Sequence, residues 1–406
     1  MKHKNVTSLP LVLLLAAAAT QSSAAAPLVS IGDNTDIHFN GSSRLQWSSN
    51  VFRNDNNEVE DLMWSMTPGF EVNFGRGASN VDLSLVTGYE IRRYADLGKL
   101  DTELFNIQAN GAYRASRLDL SGSIYFREQK SATGDTNVVT DDLIESDLFG
   151  GRVDSEYRFS PKFSFGAGFR YSETEYQTYN DQLADRERFD VPLDIFYELT
   201  PKVDLSVGYT YSETDVSSLP ARNFGGNLPL IIPGRPSYTT EDHFFNVGAR
   251  GNLLPKLTGF FKVGYRTRDS DRVNSSSDST LGLDSTLTWA TTPKLTTTMG
   301  LSRDFGVGGE GVSSENTTIS LSSNYSINSY YAASAFANYT LRDYQSNRED
   351  NQYRLGARLT YTPNQYWSFG AGYTYTENDS EDPTRLNSSL RSYVDHTIDI
   401  SASLRY

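Results

Sequence analysis

Residues 157–173 read YRFSPKFSFGAGFRYSE. Phe163, Phe165, Ala167, Phe169 and Tyr171 share one parity, and Ser164, Gly166, Gly168, Arg170 and Ser172 share the other. Successive side chains of a strand point to opposite faces, so this stretch has one aromatic face and one small, polar face. Pro161 supplies the tight turn before it, because its fixed φ and missing N–H stop a ladder. The same unit returns as YELTPKVDLSVGYTYSE at 197–213, NLLPKLTGFFKVGYRTR at 252–268 and LTYTPNQYWSFGAGYTYTE at 359–377. A soluble sandwich turns such a greasy face inward. Repetition along nearly the whole chain favours instead a closed barrel, with lipid outside and water inside.

Residues 1–26 are read apart from the fold. Lys2 and Lys4 precede an apolar run from Leu9 to Ala19, broken only by Pro10, and small residues follow through Ala26. This is the pattern of a secretory signal peptide, cleaved near residues 24–26. The run falls short of the ~20 residues a membrane-spanning helix needs. No other long apolar run follows, and a hydrophobic content of 37% is too low for a bundle of membrane helices. The chain has no cysteine, which excludes a disulfide framework and a thiolate metal site. Uniform patterning without a linker predicts a short periplasmic segment at 27–35, then one barrel over 36–406.

The expected fold is all-β: a transmembrane antiparallel up-and-down β-barrel of about eighteen strands, with sixteen as the alternative count. Strands are read from 36–52 through to 394–406. Tight connections fall at Gly75–Asn80, Ala115–Arg117, Ser160–Lys162, Thr200–Lys202, Leu254–Lys256, Thr292–Lys294, Ile327–Ser329 and Pro363–Gln365. They alternate with longer, charged connections, the asymmetry of bacterial outer-membrane barrels. Both termini then lie on the periplasmic side. Pro192, inside a strand, predicts a bulge. The lipid face includes Leu118, Leu120, Ile124 and Phe126, then Phe189, Val191, Leu193, Ile195 and Tyr197, then Leu281, Leu283, Leu287 and Trp289. Tyr113, Tyr157, Phe163, Trp289, Tyr361 and Trp367 near the tight turns, and Tyr89, Tyr171, Tyr211, Tyr265 and Tyr375 near the long loops, predict two aromatic belts. Ile398, Ile400, Ala402, Leu404 and the terminal Tyr406 share one face. Ile400, Leu404 and Tyr406 therefore resemble the C-terminal signal that barrel-assembly machinery reads.

The inward parity mixes Gly, Ser, Thr and Asn with charge. Arg170, Arg250, Lys262, Arg266, Arg342, Arg354 and Arg358 are the basic pore-lining candidates, and Asp190, Asp194, Glu198 and Asp204 the acidic ones. An Arg or Lys facing lipid at the midplane costs roughly 2–4 kcal/mol, so these side chains face water or each other. The two readings are opposed arcs at a constriction and interstrand salt bridges that stiffen the wall. The longest connection, 213–242, has an apolar centre, and Leu228, Leu230, Ile231 and Ile232 are the constriction-loop candidates. The formal net charge of −14 concentrates in the long loops. That suits a lipopolysaccharide surface or plain solvation. Asp379-Ser-Glu-Asp382 lacks the ordered spacing of a calcium loop, so no metal site is expected. After the leader only His38, His243 and His396 remain, with no triad, metal-ligand or phosphate-loop spacing. An enzyme, a cofactor and a nucleic-acid partner are not expected.

The recurring YxxTPK hairpins and the terminal LRY resemble the outer-membrane "beta-barrel porin 2" type of Gram-negative bacteria, over residues 36–406. That type includes barrels associated with exopolysaccharide loci. The resemblance implies an outer-membrane location and a pore but no particular solute. It implies as partners outer-membrane lipid and lipopolysaccharide, periplasmic chaperones and the assembly machinery, with polysaccharide as a further candidate. The first expectation for function is passive diffusion of small hydrophilic solutes. The alternatives are an outer-membrane component of exopolysaccharide secretion or assembly, and a closed structural or adhesive barrel.

Overall fold

Alternating apolar and polar residues, interrupted by prolines and short turns, fold as neighbouring antiparallel strands because each strand can pair only with the one before and after it. A computed structural model describes residues 26–75, 79–132, 142–224, 230–272, 277–381 and 392–406, without the side chains of 223–224 and 230–232. Its strands are β1 (Val29–Ile31), β2 (Thr35–Ser48), β3 (Asp61–Phe74), β4 (Val81–Tyr94), β5 (Thr102–Arg114), β6 (Leu118–Ser131), β7 (Ile144–Arg158), β8 (Phe163–Tyr176), β9 (Arg186–Thr200) and β10 (Val203–Val216). They continue as β11 (Arg222–Phe224), β12 (Leu230–Ile232), β13 (Tyr238–Leu254), β14 (Leu257–Ser270), β15 (Asp278–Ala290), β16 (Leu295–Val307), β17 (Ser313–Ser326), β18 (Tyr331–Tyr344), β19 (Glu349–Tyr361), β20 (Trp367–Glu381) and β21 (Tyr393–Arg405). β2–β10 and β13–β21 form a closed antiparallel barrel of eighteen strands. The closing seam pairs β2 with β21, from Asn40↔Arg405 to Ser48↔Thr397. Among the described residues no helix is long and apolar enough to cross a membrane; the strands make the wall. Closure gives every barrel strand two neighbours, so the wall has no edge strand, which a hydrocarbon environment requires.

The strand count and parity agree with the sequence reading, with differences at the ends. Strands run on past the apolar band on the long-loop side, so β8 reaches Tyr176, β10 Val216 and β14 Ser270. Two of the connections expected to be long shrink to 308–312 and 345–348. Residues 29–31, expected to be plain N-terminal chain, form β1 and pair with Thr35–Ile37 of β2. No bulge forms at Pro192. Ala167↔Leu193 and Arg170↔Asp190 keep one register across the proline, which merely interrupts the ladder. The shift lies instead beside the β9–β10 turn, between Val203 and Asp204.

The outward face carries the aromatics, Trp64, Phe70, Phe165, Phe169, Trp289 and Trp367 among them, all exposed. At the long-loop edge the belt tyrosines bond outward to carboxylates. Tyr211 Oη donates to Glu213 at 2.6 Å, Tyr375 to Glu377 at 2.8 Å and Tyr89 to Glu103 at 3.1 Å. Ring in lipid and hydroxyl toward charge is the interfacial arrangement of a tyrosine. The buried apolar clusters sit not in the wall but on the long-loop rim. Phe52, Leu100 and Leu143 form one, Ile144, Tyr176 and Leu183 a second, and Ala184, Val216 and Tyr238 a third. Each fully buried side chain there contributes about 1.5–3 kcal/mol, so these rim clusters pin the loops to one another.

Candidate functional site: the charged lumen

The lumen is built from the inward parity, and its geometry depends on what that parity lacks. Gly208 on β10 and Gly248 on β13 leave the wall bare between β9 and β14. A Cβ on Gly208 would lie 2.2 Å from Asp194 Oδ1, and one on Gly248 would lie 3.0 Å from Lys262 Cγ. With hydrogens there instead, Lys262 lies flat along the wall and its Nζ bonds both Asp194 oxygens at 2.7 and 2.8 Å. β10 and β13 separate these two residues.

Arg250 makes a longer reach. From β13 its guanidinium bonds Glu156 of β7 at 2.6 and 2.8 Å and Asp204 of β10 at 3.1 Å. Its carbon centre lies 3.4 Å from the ring centroid of Phe196. Ser164 donates to the other side of the cluster, to Glu156 at 2.6 Å. Paired charge-assisted bonds of this kind are short and directional, and the stacked ring fixes the plane of the guanidinium.

Nearer the long loops, Arg268 forks onto Asp242 at 2.6 and 2.7 Å, with both side chains only 2% exposed. Arg188 joins them, 2.8 Å from Asp190 and 3.6 Å from Asp242. Arg348 forks onto Asp350, which also accepts from Ser380 at 2.6 Å. On the opposite wall Arg358 bonds Asp399 at 2.5 and 2.8 Å and Ser401 at 3.1 Å. At the tight-turn mouth Arg405 bonds both oxygens of Glu71, at 2.9 and 3.1 Å, and Asn40 and Asn73 add further donors.

All eleven charged candidates from the sequence lie on inward-parity positions of these strands. Asp190, Asp194, Asp204, Arg250, Lys262 and Arg358 enter the pairs above. Arg170 lies 3.7 Å from Asp154. Glu198 stands opposite Asp204 in register and makes no ion pair among the described residues. Three arginines form no direct ion pair among the described residues, although Arg342 stands opposite Asp350 in register. Arg266 lies 4.2 Å from the Phe244 ring centroid with its Nε unbonded, Arg354 lies 5.4 Å from that of Phe336, and Arg342 has a buried Nη1 without a partner. Glu156, Arg188, Asp242, Arg268, Arg348, Asp350, Asp399, Glu71 and Arg405 were not singled out from the sequence. Inward parity alone would have found those on strands.

Of the constriction-loop candidates, Leu228 lies outside the described residues. Leu230, Ile231 and Ile232 form β12, whose backbone pairs with β11, and their side chains are likewise outside the description. The base of that connection is held by Leu219↔Arg235. Ile400 and Tyr406 are exposed on the outer face and Leu404 half-exposed, and Tyr406 exchanges two backbone bonds with Phe39 across the seam, at 2.6 and 2.9 Å. Among the described residues no group of His, Cys, Asp and Glu is arranged to hold a metal. His243 and His396 sit on the outer face, bonded to Tyr209 at 2.8 Å and Tyr373 at 2.9 Å. His38 is buried at the tight-turn mouth opposite Glu71.

Residues 239–400, from β13 into β21, match the family described as "Putative beta-barrel porin 2". The resemblance read from the sequence is to this family, but the match spans the second half of the barrel rather than residues 36–406. No curated protein matches the chain. Solved structures similar to it include a ferric enterobactin receptor (PfeA) mutant from Pseudomonas aeruginosa, with 11% identity, 91% of this chain and 80% of that chain covered, and a TM-score of 0.48. Others are the copper transporter OprC, with 12% identity, 93% and 82% covered and a TM-score of 0.46, and Pseudomonas aeruginosa OpdK with vanillate, with 10% identity, 91% and 99% covered and a TM-score of 0.44.

Proposed function

We propose that this porin-like outer-membrane barrel is a channel through which small hydrophilic solutes diffuse along an ion-paired lumen. The observation that carries this reading is the segregation of the two faces of one closed wall. Outward positions are aromatic and aliphatic, while inward ones are glycine, hydroxyl, amide and paired charge. An eighteen-stranded wall is wide enough to hold an aqueous channel, and ion pairs lying flat along it keep their charges without filling it. The inward aromatics support a channel for small solutes over a polysaccharide path. Phe196, Phe244 and Phe336, and Tyr125 beside Arg127, each have a guanidinium over one face of the ring, and with inward Phe260 they form no continuous track of free ring faces for sugar rings. The purified protein in liposomes tests this. Swelling in isotonic small zwitterions and monosaccharides, falling off steeply with solute size, is expected. Liposomes that stay inert to every solute would overturn the channel.

A further inference from the structure

One hairpin leaves the barrel wall. β15 and β16 pair from Ala290↔Thr296 up to Leu283↔Arg303, and there the ladder stops. β16 continues to Val307 still paired with β17, as far as Val307↔Ser313. β15 continues to Asp278 paired only with β14. From Asp304 onward the β16–β17 tip therefore peels away from β15 as a unit, and residues 278–282 of β15 keep a free edge.

The tip lies on the inner rim of β9, β10 and β13, and almost every carbonyl along it is held there. Arg268 donates to Gly306 O at 2.7 Å, Arg186 to Val307 O, the Ala184 amide to Gly309 O at 2.9 Å, Arg235 to Glu310 O, and Tyr238 Oη to Gly311 O at 2.8 Å. Gly308 O is closed within the turn by the Gly311 amide at 2.8 Å. Val307 packs on Ala184, Val216 and Tyr238. Phe305, whose parity along β16 is outward, is buried beside the Arg268 guanidinium, 4.9 Å from it. Gly311 is in the left-handed region at φ +62, which glycine alone adopts without strain. A turn in water needs none of these donors.

A second bonded arrangement is written into the same residues. Continuing the register of Leu283↔Arg303 sets Gly282, Leu281, Thr280, Ser279 and Asp278 opposite Asp304, Phe305, Gly306, Val307 and Gly308. The free edge of β15 would then be paired, Thr280 Oγ1, buried without a partner, would gain a neighbouring strand, and Phe305 would return to the outer face beside exposed Leu281. Residues 304–308 thus have a second possible strand partner, gained in exchange for the donors that now hold the carbonyls of Gly309, Glu310 and Gly311, the kind of alternative from which a two-state element is built.

We propose that the Asp304–Glu315 tip is a gate. Docked across the long-loop mouth it narrows the channel, and zipped onto β15 it opens it. The proposal rests on the channel reading above. Single-channel recording on the full chain in planar bilayers tests it with two disulfide locks, since the protein has no cysteine of its own. Ala184→Cys with Val307→Cys, which joins the tip to the rim cluster it packs on, should hold the low level when oxidised and recover the parent's two levels in reductant. Ser279→Cys with Val307→Cys, opposite only in the zipped register, should become fixed at the high level when oxidised. Tyr238→Phe removes one strap bond without a new thiol and should raise occupancy of the high level roughly two- to tenfold. Failure of the second pair to cross-link, or a Tyr238→Phe record identical to the parent's, would overturn the gate alone. Absence of conductance in the parent and every variant would overturn the channel, and the gate with it.

Discussion

Arg250 shows how much of this lumen turns on single side chains. Its guanidinium holds two carboxylates on two other strands and covers Phe196. Replacing it by methionine keeps the stem and removes the charge, leaving Glu156 and Asp204 facing the lumen unneutralised. Arg250→Met is expected to shift the zero-current potential in a KCl gradient toward cation preference, and to cost the fold about 1.5–3 kcal/mol through the lost charged hydrogen bonds. An unchanged zero-current potential would place the cluster away from the ion path. The inward position of Arg250 was legible in the sequence from alternation alone. Its partner was not. Glu156 lies 94 residues earlier with three strands between, and the bond depends on side-chain reach over a curved wall. Gly208 and Gly248 illustrate the same limit. Periodicity marks them as small inward residues but says nothing of the lysine that lies across them.

At the scale of elements, the eighteen barrel strands and the turn chemistry were readable because lipid imposes strict alternation on every crossing. The strand ends were not. Past the tyrosine belt the outer face becomes carboxylate, as at Glu173, Glu213 and Glu377, and the apolar signal fades while the backbone ladder continues in water. The tip of β16–β17 was unreadable for a further reason: its docking is decided by donors from β9, β13, β14 and the β8–β9 and β10–β13 connections. The last strand carries a prediction of its own. Tyr406 closes the β2–β21 seam through Phe39 and packs 5.5 Å from Tyr366. Deleting it removes two ladder bonds and an interfacial anchor, so the amount of heat-modifiable protein in the outer membrane should fall well below the parent's. Unchanged levels would deny the terminus a part in assembly.

For the whole molecule, the tight turns and both ends of the barrel lie on one side and the rim clusters on the other. With that side periplasmic, cysteines replacing Asn56 or Ser346, exposed on the long-loop side, should react with an impermeant thiol reagent on intact cells. Cysteines replacing Ser329 or Asn364, exposed at tight turns, should react only after the outer membrane is opened. The opposite labelling would invert the protein in the membrane. Sidedness and assembly concern where the barrel sits; the central claim is that water and ions pass through it. Unitary conductance of the purified parent chain in a planar bilayer tests that claim most directly. Discrete, ohmic current steps that scale with salt concentration are the predicted result. A membrane holding the folded, heat-modifiable protein that passes no current at any voltage would contradict it.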